Sequence, residues 1–403
     1  MPFVPQELID AIVGEIEDMQ SLKACALAGT MFRDPCQRIL LHSLALDDSI
    51  PKVAAASALL QSSPHIAIHV THLEIRFGTS INATITDSSD MTSLDDVLDK
   101  LMNVDHCTLI IGIENCVIPI DSISNFLVRQ PLHRLKICHF YSIPPVTLAR
   151  LLVLAPVVVF SSPEPLLKFY SRPSWNIERQ PAPNVEDLFI DFFQLDMDCE
   201  RFAQILPTPA LRRLFTCMDY DRCRHLIAAN ASTLEHLHIR LRIDTLVNTV
   251  TPPLPLLRFV EIQVIRPYYR ILSPSGLLDL IQSFISTSPL ITHITLCLLP
   301  SPYLDLKPQG DFLPLPALDA LLSADHSRPA IHWHWRIDFC SPTGPAGFAN
   351  DIDAQSKQFD EFANKVRNGM GRAYAEGRLK VERFDYFEDI ERKMDGFWSR
   401  PLD

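Results

Sequence analysis

Glycine is scarce in this chain, 12 in 403 residues against 32 prolines. A fold built on glycine turns, or on a glycine-rich loop closing over a phosphate, is therefore not expected. No phosphate-loop motif and no G-x-S-x-G elbow occurs, and Gly369-Met370-Gly371 is only a fragment of a dinucleotide fingerprint, set in a charged helical stretch. Positive charge is also in deficit. A net charge of −12 supplies no basic field for nucleic-acid phosphates. No apolar run can span a bilayer, since the longest, such as Leu148 to Phe160, are short or interrupted by proline. The opening residues lack a basic segment followed by an apolar core, so a signal peptide is not expected either. The ten cysteines form no C-x-x-C pair, which reads as small buried side chains in a reducing interior, cytoplasmic or nuclear.

What the chain does have begins at once. Pro5 stands just inside a helix start, where its missing N–H costs nothing, and Glu7 follows in the first turn. Leu8, Ile9, Ile12, Val13 and Ile16 recur at helical spacing. Ser21 is placed to cap a second helix lined by Leu22, Ala24, Cys25, Leu27 and Ala28. Gly29 and Thr30 end it, and a third helix is expected from about Arg33 to His42. Three short helices bury too little to stand alone, so this segment should lean on a partner chain, on the downstream domain, or on both.

These residues carry a resemblance. Val4-Pro5-x-Glu7-Leu8-Ile9 followed by Ile12 resembles the opening of an F-box, whose usual form is Leu-Pro-x-Glu-Leu/Ile. Ser21 to Ala28 is similar to that family's central Leu-x-x-x-x-x-Val stretch, and Phe32-Arg33 stands where the family has Trp-Arg. The resemblance covers about a tenth of the chain. It implies an adaptor that docks a Skp1-like protein of a cullin-type ubiquitin ligase through Val4, Pro5, Glu7, Leu8, Ile12, Leu22, Leu27 and Phe32, and presents a protein substrate through the rest of the chain. It implies no catalytic residue, metal, cofactor, nucleic acid or membrane.

Beyond a helix from Lys52 to Gln61, one pattern returns. Thr71 to Phe77 alternates as a strand with one buried face, and a leucine, two residues, leucine, one residue, isoleucine signature recurs. Its copies begin at Leu132, Val185, Leu234, Leu257 and Ile291, with a weaker one at Leu211, and Thr108 to Ile111 fills the gap after the first. Helical patterns lie between them, at Leu94 to Met102, Thr147 to Leu154, Cys199 to Leu206, Arg222 to Ala229 and Leu277 to Ile285. Such alternation predicts parallel strands joined by right-handed crossovers, an α/β fold. A curved leucine-rich-repeat-like solenoid uses every element, although the asparagine those repeats carry after the third apolar position is missing in most copies. A doubly wound globular sheet is the alternative. The whole is similar to fungal-type F-box proteins with irregular leucine-rich repeats.

Arg266 to Pro274 and Leu299 to Pro316 read as projecting loops, and Ile331 to Phe339 as one more strand. After a Pro/Gly-containing linker, a helix carrying Phe359, Phe362, Ala363, Val366, Met370 and Tyr374, ended by Gly377, and a strand through Leu379, Val381 and Phe384 are expected to shield the last core layer. The expected organisation is an F-box-like segment at 1–45, the repeat array at 46–340, and a linker with C-terminal cap at 341–403. Two histidine groups have spacings that metal ligands can take, His65/His69/His72 and His332/His334. Both read better as satisfied or surface side chains, with Trp333 and Trp335 in the core. Two other functions fit the same pattern: a repeat-type scaffold without a ubiquitin link, and an α/β enzyme with its site at the strand C-terminal ends.

Overall fold

An alternating strand needs a layer to bury its apolar face against, and here helices supply it. The computed structural model describes residues 4–47, 50–77, 94–111, 120–138, 150–161, 185–191, 210–242, 251–265, 274–298, 313–321, 331–339 and 352–385. The chain divides into two compact units, Met1–Val185 and Glu186–Asp403. The division falls inside the stretch 46–340 that the sequence pattern presents as one array.

The first unit opens with α1 (Gln6–Gly14), α2 (Met19–Ala28) and α3 (Thr30–Leu40). The second helix is capped by Asp18, whose carboxylate accepts the Ser21 N–H at 2.7 Å, and not by Ser21 as the sequence suggested. Asp18 stands just ahead of the helix with extended backbone, which is the geometry capping requires. The third begins at Thr30, three residues earlier than expected, because Gly29 is the extended residue joining the two helices. Then come β1 (Ser43–Asp47), α4 (Ile50–Ser62), a 3-10 turn (Pro64–His69), β2 (His72–Phe77), β3 (His106–Ile111), α5 (Ile120–Val128), β4 (Arg134–Cys138) and β5 (Val157–Ser161). These five strands pair in parallel and in sequence order.

The second unit holds β6 (Asp187–Asp191), β7 (Arg213–Asp219), α6 (Tyr220–Ala229), β8 (His236–Arg242), β9 (Phe259–Ile265), α7 (Pro274–Thr287), β10 (His293–Leu298), α8 (Leu315–Leu321), β11 (His332–Phe339), α9 (Ile352–Gly369), α10 (Gly371–Ala375) and β12 (Leu379–Asp385). Its seven strands are again parallel and neighbours in sequence order. A doubly wound sheet would reverse its strand order at a switch point. Neither unit does, so each has the strand order of a repeat array.

The signature's first apolar residue lies two positions ahead of the strand in eight copies. Val70, Val104, Leu132, Val185, Leu211, Leu234, Leu257 and Ile291 are all buried there. The second position stacks in register from strand to strand: Leu73, Cys107, Leu135 and Val158 in the first unit; Leu188, Leu214, Leu237, Val260, Ile294 and Trp333 in the second. The third does the same through Ile75, Leu109, Ile137 and Phe160, and through Ile239, Ile262, Leu296 and Trp335. Helices close over these ladders with Val53, Ala56 and Leu60 of α4, Ile123, Phe126 and Leu127 of α5, and Leu277, Leu280, Ile281 and Phe284 of α7. The weaker copy at Leu211 places Thr216 in the third position, and there the β7–β8 register shifts after Phe215.

Two strands lie outside the expectation. Val157–Ser161 is buried at every position, so it shows no alternation to read. Ser43–Asp47 is a short strand at the start of the order. The helix expected over Leu94 to Met102 is shorter, residues 94–98, followed by a turn. The helix at Cys199 to Leu206, residues Thr147 to Ala149 of another, the loop at Leu299 to Pro316 except its last residues, and the linker lie outside the described residues. No helix among the described residues is long and apolar enough to cross a membrane.

Candidate functional site

The N-terminal bundle makes its own small core. Ile9 and Val13 of α1, Leu22 of α2 and Cys36 of α3 are buried together, with Ile16, Cys25, Ala26, Phe32, Ile39 and Leu40 packed against them. This set closes without the remaining apolar side chains, which stay outside: Val4, Leu8, Ile12, Met19, Leu27 and Met31 are exposed, Leu27 at 89%. Val4, Leu8 and Ile12 succeed one another at four-residue spacing, which puts the last two on one face of α1.

The sequence-predicted residues therefore fall into two groups. Val4, Pro5, Glu7, Leu8, Ile12 and Leu27 are exposed. Leu22 is 1% exposed and holds the helices together, and Phe32 is half-buried on the same core. The apolar residues that recur at helical spacing on α1 do not share one buried face: Ile9 and Val13 turn inward, Leu8 and Ile12 outward. Polar contacts fix the bundle. Arg38 of α3 reaches Asp10 of α1 at 3.4 Å and Asp34 at 3.0 Å, and Asp34 lies 3.6 Å from His69 in the 3-10 turn ahead of β2. His69 is thus engaged with Asp34, and the His65/His69/His72 grouping does not assemble.

His72 instead joins residues far away in sequence. The residue just ahead of each strand offers its carbonyl to the next strand's lead-in turn. The His42 carbonyl accepts from Thr71 and His72, that of Thr71 from Asp105 and His106, and that of Asp105 from His133 and Arg134. This backbone ladder lines up His42, His72, His106 and His133 along one edge. The His72 and His106 rings stack at 4.4 Å, His42 lies 5.3 Å from His72, and His133 lies 6.0 Å from His106. Asp105 Oδ1 is 2.8 Å from His106 Nδ1, and Thr71 Oγ1 is 2.9 Å from His72 Nδ1. Partial desolvation, and the neighbouring His106 after it, hold His72 below the ordinary histidine value against the pull of Asp105.

In the second unit the corresponding positions begin with charged pairs and continue as rings, with His236 at 4.2 Å from Phe259, Phe259 at 4.8 Å from His293 and His293 at 5.1 Å from His332. Asp187 and Arg213 pair at 2.7 Å and Arg212 and Glu235 at 2.8 Å. Burial raises the Asp187 carboxyl above its ordinary range although the Arg213 charge opposes it, and the Glu235 hydrogen bond raises Arg212. One ladder further along, Phe189 stacks on Phe215 at 4.0 Å and Phe215 on His238 at 3.8 Å. Glu261 then gathers His238 Nδ1 at 3.2 Å, Arg336 at 3.2 Å and the Cys297 thiol at 3.1 Å. The carboxylate is 3% exposed and His238 1%, so this constellation neutralises a buried charge from within rather than presenting a nucleophile to solvent. Trp333 and Trp335 are core, as expected, and His334 turns to Glu382 at 2.8 Å.

The signal for these ladders is present in the sequence: a histidine directly precedes the second apolar position in His72-Leu73, His106-Cys107, His236-Leu237, His293-Ile294 and His332-Trp333. Read copy by copy they are solvated polar residues; only stacking the copies brings them together. No protein-family model matches the chain, and a search of curated proteins finds no match.

Proposed function

We propose that this chain is a substrate-recognition adaptor of a Skp1–cullin-type ubiquitin ligase, with α1–α3 docking a Skp1-like protein and the repeat units taking a protein substrate. The observation that carries the reading is the exposure of Val4, Leu8, Ile12 and Leu27 on a bundle whose core is already complete without them. Apolar side chains left out of a closed core are what a partner can bury. On this reading Leu22 and Phe32 act by holding the bundle in shape. The helices α9 and α10 with β12 serve to end the repeat array. Catalysis belongs to other subunits, this chain supplying proximity, and it works in the cytoplasm or nucleus.

Binding of recombinant Skp1-like protein to the full chain tests this. The wild type should bind, and Leu8→Asp/Ile12→Asp should lower affinity at least about 10-fold without lowering thermal stability, because both side chains point to solvent. Equal binding by wild type and variant, or none by the wild type, overturns the proposal and leaves a repeat scaffold without a ubiquitin link.

A further inference from the structure

We propose that the lead-in edge of β2 and β3 is a transition-metal site of the zinc class, with His72, His106 and Asp105 as ligands. One donor atom from each of the three lies within 4.8 Å of the others. A tetrahedral zinc ion with bonds of about 2.0–2.1 Å holds neighbouring donors roughly 3.3 Å apart. The site therefore needs a contraction of about 1.5 Å at most. Side-chain rotation supplies that, since His72 is exposed and the other two are half-buried.

The backbone does not have to move. Thr71, His72, Asp105 and His106 are already pinned by the carbonyl ladder, with bonds of 2.8–3.1 Å. Neutral imidazoles and a carboxylate suit zinc, copper or nickel better than calcium or magnesium, which prefer all-oxygen shells. The Asp105–His106 contact at 2.8 Å shows that the carboxylate already reaches the His106 ring. Arg134, opposite His106 in the register, opposes a divalent ion, and Asp105 offsets it. A bare cross-strand ring stack would explain the His72–His106 contact alone. It would not explain why a carboxylate meets the same two rings.

Binding would tie two strand lead-ins together. Zinc titration of the full chain, read by competition with a chromophoric chelator and by thermal melting, decides the matter. The wild type should take up zinc at this site in the micromolar range or tighter and melt higher with the metal bound. His72→Gln/His106→Gln should weaken uptake at least about 10-fold and abolish the melting shift, and Asp105→Asn should weaken it by a similar factor. His332→Ala, an exposed histidine of the second unit, should change neither. Should the double variant misfold without metal, His72→Gln alone serves, with the same expectation. Uptake and melting shift equal in wild type and variants, or absent from both, overturn the proposal.

Discussion

Cys107 and Cys36 are thiols that burial keeps protonated. Burial pushes Cys107 up to about 12 and, together with the neighbouring Cys25, pushes Cys36 up to about 11. Since the thiolate is the nucleophile, both should resist alkylation in the native state. Iodoacetamide at pH 8, followed by peptide mass spectrometry, should label the half-exposed Cys25 well before either, and denaturant should erase the difference. Asp187 shows the opposite face of burial. A carboxyl raised above its unfolded value of 3.8 contributes stability below that value and loses it as pH rises through the folded value. Relative to the wild type, Asp187→Asn should therefore gain stability between acid and neutral pH in urea melts, a trend that would fail to appear if the Arg213 pair outweighed desolvation. In the N-terminal bundle, Leu22→Ala should cost about 2–5 kcal/mol and Leu27→Ala under about 0.5 kcal/mol. The two leucines look alike in the sequence, and only their exposures of 1% and 89% separate them.

At the scale of elements, α8 and the α9–α10 pair show a glycine used for close approach. A Cβ on Gly369 would meet Cβ and Cδ1 of Leu315 at 2.7 Å each. The first of these is fixed to the α8 backbone, so rotamer change cannot relieve it. Gly369→Ala should lower stability by about 1–3 kcal/mol in thermal melts, whereas Gly371→Ala, with nothing within 4 Å, should not clash. The next turn is held by Asp319 of α8, whose carboxylate accepts the Arg372 and Ala373 N–H groups at 3.1 and 2.9 Å, capping α10. Gly377 then takes φ of 69°, the left-handed turn into β12 that its position after the helix suggested. Elements whose information is local were thus legible: α4, α6, α7 and every strand that alternates. What stayed hidden depends on neighbours. Val157–Ser161 has both faces buried and no period, Asp319 caps a helix more than fifty residues away, and the histidines of β2 and β3 meet only once strands stack. The leading helices were legible as helices, but which apolar residues close their core was not, because two inward and two outward residues on α1 share one spacing.

For the whole molecule, parallel strands in sequence order mean that within each unit a strand packs mainly on the strand before and the strand after. Stability in such an arrangement is close to a sum of repeat terms and nearest-neighbour terms. Leu237 sits at the middle of the second-position ladder, fully buried, opposite Leu214 of β7 and Val260 of β9. Truncating it removes contacts to those two strands and leaves a cavity, at a cost of about 2–5 kcal/mol. A fold with one core shared by all its elements would spread that loss everywhere. A nearest-neighbour array keeps it local, since β2–β4 belong to the first unit and bury their own ladder of Leu73, Cys107 and Leu135. Hydrogen exchange of Leu237→Ala should accordingly show faster exchange in β7, β8 and β9, with β2, β3 and β4 unchanged. Uniform acceleration across both units would mean that the chain opens as one cooperative body, and the nearest-neighbour account of its stability would have to be given up.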